Sequence, residues 1–295
     1  MAETVILTGP DGTDYPFPGV EKVSLRKSGG GRAEFGGGGS KYLAMINGSI
    51  AAVTATDISE AGGLREMAFA GCVDLASVDL PSSIGLTSIP TFCFYDCRSL
   101  SGIALPSTVE WIEESAFESS GISTIDLSNV LDIGPRAFAY CWFTSPVIIA
   151  DGAMVEDEAF LASHLSSITI GHGCYVSGTG TFSLCELVSF TMPADSFITG
   201  YFNDEGYLFS MCQYLTSVDL SVDSMANAHG WFLDCPQLTS VTIRSDTVPE
   251  ANAETFAGRL YGPVPSNCVI SVKPNMVSAF RAADYWKDYT IQAIS

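Results

Sequence analysis

The tetrapeptide Phe69-Ala70-Gly71-Cys72 opens a recurrence that fixes what this chain can fold into. Its phenylalanine returns as Phe94, Phe117, Phe138, Phe160, Phe182, Phe209, Phe232 and Phe256, at intervals of 21 to 27 residues. A period in the low twenties, built on a strand and a turn, belongs to a solenoid whose single unit is too small to bury its own apolar residues and must stack on its neighbours. The unit running from Phe69 to Pro81 and the one from Phe209 to Ser221 share one pattern, Phe-x-x-Cys-x-x-Leu-Thr/Ser-Ser-Val/Ile-x-Leu/Ile-Pro. Its last part alternates apolar and polar residues, as a half-buried strand does. The strand cores are Val78/Leu80, Ile103/Leu105, Ile125/Leu127, Val147/Ile149, Ile168/Ile170, Phe190/Met192, Val218/Leu220 and Val241/Ile243.

The position three residues after the anchoring phenylalanine holds Cys72, Cys97, Cys141, Cys185, Cys212 and Cys235, and in two other units Ser120 and Ser163. A slot that accepts either residue selects for a small side chain. It points to a ladder of buried thiols acting as small hydrophobes, not to disulfide partners. Cys93 and Cys97, four residues apart, lack the Cys-x-x-Cys spacing of a metal site. The segments 111–117 and 132–138 place a second apolar residue about five positions before the phenylalanine. They are expected to pack a turn or short helix against the strand layer.

The run Ile133-Gly134-Pro135-Arg136-Ala137-Phe138-Ala139-Tyr140-Cys141 resembles the BspA-like leucine-rich repeats, whose pattern is Ile-Gly-x-x-Ala-Phe-x-x-Cys-x-x-Leu-x-x-Ile-x-Ile-Pro. The likeness covers residues 64 to about 272, and residues 269–289 are similar to the last strand and amphipathic helix that cap such arrays. It implies an α/β repeat fold: a leucine-rich-repeat solenoid with a short strand per repeat, a small β-rich N-terminal segment, and a capping strand and helix at the C-terminus. The expected organisation is a non-repeat attachment segment at 1–60, the array at 61–272 and a helical cap at 273–295. The resemblance further implies a non-enzymatic role in adhesion, host-cell or matrix binding, or protein recognition, in secreted bacterial or phage-encoded proteins.

Residues 1–60 do not follow the repeat. Thr4 to Thr8 reads as a strand, residues 9–12 as a turn, Val20 to Leu25 as a second strand, and 42–46 and Ile50 to Thr56 as strands flanking an Asn47-Gly48 turn. Seven glycines between residues 29 and 39 are expected to hold no packed element, because each costs much ordering entropy. A phosphate-binding loop is the sharper reading of those glycines, but no Gly-Lys-Ser/Thr follows them.

Charge narrows the partners. The chain carries 33 acids against 13 bases, and between Glu66 and Ile243 only Arg98 and Arg136 are basic, against 21 acids. Binding nucleic acid by counterion release needs clustered Lys and Arg, so the array is not expected to bind it. No apolar run reaches the length of a membrane span. Residues 1–20 show no charged n-region or apolar h-region of a secretory signal, so the protein is expected to be particle-associated or cytoplasmic at synthesis, with extracellular action open to it.

No catalytic set is legible. His164, His172 and His229 fall in different units, and His172 beside Cys174 lacks a third group. The acids Glu113-Glu114 and Glu156-Asp157-Glu158 sit in repeating turns, without the convergence of a glycosidase or the ligand loop of a calcium site. No catalytic residue, metal or cofactor is expected. The expected binding surface is the outward strand row, with Asp79, Ala104, Asp126, Ile148, Thr169, Thr191, Asp219 and Thr242, joined by Tyr201, Phe202 and Tyr207 in the longest unit. Extra residues in a repeat form loops on one face. Trp111, Trp142 and Trp231 are expected to occupy comparable positions, with at least two of the three in the core. The expected partner is a protein or cell-surface glycan receptor, with self-association or particle attachment through residues 1–60.

Overall fold

The structure, a computed structural model, describes residues 4–8, 14–18, 22–26, 32–36, 51–61, 63–199, 206–222 and 227–294. About ten coils wind into a parallel β-solenoid. The Leu-x-x-Val/Ile-x-Leu/Ile part of each unit forms the front row of strands. Ala52–Val53 pairs in parallel with Ser77–Val78, Gly102–Ile103 with Thr124–Ile125, and Val147–Ile148 with Ile168–Thr169. Ser189–Thr191, Ser217–Ser221, Ser240–Arg244, Val269–Val272 and Thr290–Ala293 then make a continuous five-stranded sheet.

A second sheet stands where the sequence predicts turns or short helices. Ser88–Ile89, Trp111–Ile112, Asp132–Ile133, Met154–Val155, Tyr175–Ser177 and Phe197–Thr199 pair in parallel as six strands, here called the side sheet. Ile89, Ile112, Ile133, Val155, Val176 and Ile198 are buried, and the residue before each of them is half-buried or exposed. Strands this short have too little alternation to be told from a turn by pattern alone.

The anchoring phenylalanines form the core. From Phe69 to Phe256 each ring stacks on the next, with eight successive centroid separations between 5.3 and 6.2 Å and interplanar angles of at most 25°. Eight of the nine have no exposed surface and Phe256 is 7% exposed. Stacking of this kind adds to the gain from burial, because offset aromatic pairs are favoured beyond their area.

The backbone around each phenylalanine explains how successive coils lock. The residues two before and two after it adopt positive φ in eight coils, from Met67 and Gly71 to Gly230 and Asp234, and most of them are not glycine. Isolated left-handed residues cost energy, but here their amides are used. In the coil of Phe94 the N–H groups of Phe92, Phe94 and Asp96 donate to the carbonyls of Glu114, Ala116 and Glu118 in the next coil, at 2.8–3.0 Å. The intervening amides of Cys93, Tyr95 and Cys97 close turns three residues back. These repeated left-handed turns tie coil to coil through their hydrogen bonds and mark no site.

The cysteine slot has a second reason beyond size. The thiols of Cys97, Cys141, Cys185, Cys212 and Cys235 donate to the carbonyl of the preceding coil's anchoring phenylalanine at 3.1 Å, and Ser163 Oγ donates to Phe160 O at 2.8 Å. The slot therefore takes a small donor, where the sequence pattern marks only a small hydrophobe. Burial pushes the Cys141, Cys185 and Cys235 thiols up to about 12, so they stay protonated donors at neutral pH. Cys141→Ser keeps a small donor in the slot, as Ser163 does by donating to Phe160 O in its own coil, and is expected to cost about 1 kcal/mol or less, read from the urea midpoint.

The ends depart from the sequence expectations in three places. The strand predicted for residues 50–56 stops at Val53, because Thr54 and Asp57 exchange hydrogen bonds as a capping box and start the helix Ala55–Ala61, which buries Ile58. Arg32–Gly36, set between the glycine runs, is a strand antiparallel to Lys22–Arg26, so that segment does hold an element; Thr4–Thr8 and Asp14–Pro18 pair likewise. The helix Val277–Ala282 is followed by the further strand Thr290–Ala293. Trp286 meets the ring of Phe256 edge-on at 5.2 Å, donates Nε1 to Pro249 O, and with Tyr289 covers the last ring of the ladder. The strand and turn predicted for residues 42–48 lie outside the described residues.

Candidate functional site: the outward faces of the coils

The fold brings part of the predicted surface together. Asp79, Ala104, Asp126, Ile148, Thr169 and Thr191 are exposed on the front row, and Asp219 and Thr242 are half-buried there. Ile148 lies opposite Thr169, and Thr191, Asp219, Thr242 and Ser271 follow one another in register, with Gln292 opposite Ser271. Asp219 is not an open carboxylate: both its oxygens accept from Arg244, one strand along. The hydroxyls beside this row serve the backbone, since Ser123, Thr216 and Thr239 donate to carbonyls of the preceding coil.

Tyr207 does not join the row. It sits among the positive-φ turns and donates its hydroxyl to Glu254. Tyr201 and Phe202 lie outside the described residues. The tryptophans correct the sequence reading. Trp111 and Trp142 are exposed and only Trp231 is in the core, because the three occupy different parts of their coils. Trp111 is on the side sheet, Trp142 follows the cysteine slot and stacks on His164, and Trp231 adjoins the ladder edge-on to Phe232.

Pattern reading missed the side sheet's outward row. Ser88, Trp111, Asp132, Met154, Tyr175 and Phe197 lie in register across the six strands. Trp111, Met154 and Tyr175 are each more than 40% exposed, and the rings of Tyr175 and Phe197 lie 6.2 Å apart. Its signal was a one-residue alternation before the anchoring phenylalanine: Trp-Ile-Glu at 111–113, Met-Val-Glu at 154–156, Tyr-Val-Ser at 175–177. An open cleft of about 390 Å³ runs beside Trp111, with Glu113, Glu114, Asp132 and Glu156 in its walls. Glu113 accepts from Ser88 Oγ and from the amide and hydroxyl of Thr91. Burial holds the carboxyl of Asp132 above the usual carboxylate range. Burial, then the charges of Asp132 and Asp157, does the same at Glu156.

Ionisable groups elsewhere pair locally. Arg136 bridges Glu118 and Glu158 across three coils, and its guanidinium lies 5.8 Å from the Tyr140 ring centroid. His164 bonds Glu186, His172 bonds Asp195, and His229 approaches Glu250 at 4.0 Å, so the three histidines serve three separate ladders. No helix among the described residues is long and apolar enough to cross a membrane.

Parallel coils stacked around a phenylalanine ladder make the fold a repeat solenoid, consistent with the leucine-rich-repeat class. The BspA type leucine rich repeat region matches in six copies over residues 63–189 and 132–260, and the chain belongs to that family. A leucine-rich repeat protein from Bacteroides ovatus, known by crystal structure, is similar over 95% of this chain and 77% of that one, at 18% identity and a TM-score of 0.46. No curated protein matches the chain.

Proposed function

We propose that this is a non-enzymatic recognition protein of a phage or comparable particle, which attaches through its N-terminal segment and presents the array to a protein or glycan on a bacterial surface. The observation that carries this reading is the in-register front row from Thr191 through Asp219 and Thr242 to Ser271. Polar groups repeated at the strand spacing of about 4.8 Å along a flat sheet suit a broad interface with many modest contacts. The ladder beneath keeps that surface preorganised, which lowers the ordering cost of binding. Membership of the BspA-type family supports a binding role.

The fold fixes how the attachment part is tested. Ala52–Val53 already belongs to the front row and Ile58 is core, so the informative deletion ends at residue 50. The shortened chain, fluorescently labelled, is expected to bind intact bacterial cells as the full chain does and to lose incorporation into particles. Unchanged incorporation, or an array that leaves cells unlabelled, would overturn the proposal.

A further inference from the structure

We propose that the side sheet is a second docking surface, independent of the front row, and that it takes an extended basic segment of a partner protein, with a Lys or Arg side chain laid over Asp132 between Trp111 and Met154. The apolar part of the argument is the row itself. Trp111, Met154 and Tyr175 are large, exposed and fixed in register on a rigid sheet, where the other outward sheet positions are mostly small or polar. Rigid aromatic side chains presented this way are the anchors on which interfaces concentrate their energy.

Charge selects the occupant. The cleft beside Trp111 has four carboxylates in its walls and neither Lys nor Arg. The two bases of this part of the chain are engaged elsewhere, Arg98 with Asp96 and Arg136 with Glu118 and Glu158. Asp132 and Glu156 are half-buried, and their charges repel one another. A cation placed between them removes that repulsion, a gain that a neutral ligand cannot supply. A guanidinium or ammonium there also meets the Trp111 ring, the best cation–π partner among side chains, while its aliphatic stem covers Met154. The cleft's volume falls in the small-ligand range, but it is open along one side, which fits a chain segment lying across the strands better than an enclosed small molecule.

The test uses the full chain and a hexa-arginine peptide, titrated by calorimetry at about 0.15 M salt, where the Debye length of about 8 Å screens the overall negative field. D132N/E156Q is expected to weaken binding about tenfold or more, and W111A about fivefold, whereas D79N/D126N, which removes two charges from the front row, changes it less than about twofold. Because D132N/E156Q relieves repulsion, its melting temperature is expected to be no lower than that of the unchanged chain; D132N alone serves if the double change disturbs folding. Three results would each overturn the assignment: no binding of the peptide, equal weakening by the two double variants, or weakening by W111A with none on neutralising the carboxylates. The last would mark a neutral partner such as a glycan. None of these bears on the front row, whose own binding is measured on cells.

Discussion

Replacing Phe138 by alanine is expected to lower stability by about 3 to 5 kcal/mol, more than any change at the cysteine slot. The ring has no exposed surface and stacks on Phe117 at 5.4 Å and on Phe160 at 5.5 Å, with Phe143 edge-on at 5.8 Å. Each neighbour is held by its own coil through the amide ladder, so the site cannot collapse and the cavity remains. The shape of the transition should change as well. In a stacked array each coil touches only its neighbours, and a weak interface in the middle uncouples the two halves. Urea unfolding followed by circular dichroism should show a lower midpoint and a broadened or split transition. A cost equal to that of Cys141→Ser would mean that the ladder does not carry the fold.

Asp234→Ala is expected to cost about 3 kcal/mol. Asp234 is buried two residues after Phe232, and its Oδ1 accepts from the amides of Arg259, Leu260, Tyr261 and Gly262 at 2.7–3.0 Å. It thus pins the turn at 259–262, which has exposed Leu260 and Tyr261 at its tip. Burial alone would raise the carboxyl, but the four amides outweigh it and hold it below its usual range. A carboxylate depressed on folding stabilises the native state above its unfolded pKa of about 4, and that contribution is lost as pH falls through the lower native value. The gap in urea midpoint between the unchanged chain and Asp234→Ala should therefore be wide at pH 7 and narrow in acid. A gap that widened in acid would contradict the assignment.

The sequence displayed the parts of this fold that recur at fixed offsets. Phe138, Cys141 and the Ile168/Ile170 strand were legible because burial repeats the same residue type in the same slot. The Trp111 and Tyr175 strands were not, since two or three residues carry too little alternation and the segments around them vary in length. The left-handed turns were hidden for a different reason. Arg136, Glu158 and Leu184 are poor formers of that conformation, and only the carbonyls of the next coil make it favourable. Asp234 carries no signal in the sequence pattern, because its partners lie 25 to 28 residues away. Asp79, Asp126, Ile148, Thr169 and Thr191 are exposed where the strand alternation puts them, but the pairing of Asp219 with Arg244 needed the register, since the two are 25 residues apart.

The central claim is that a rigid phenylalanine-laddered core displays a recognition surface on its front sheet. The most direct test is the binding of the labelled chain to intact bacterial cells after T191K/T242K, two outward changes that flank Asp219 in register. At least about tenfold weaker binding, with stability unchanged within about 0.5 kcal/mol, is the predicted result. Cell binding equal to that of the unchanged chain would contradict it.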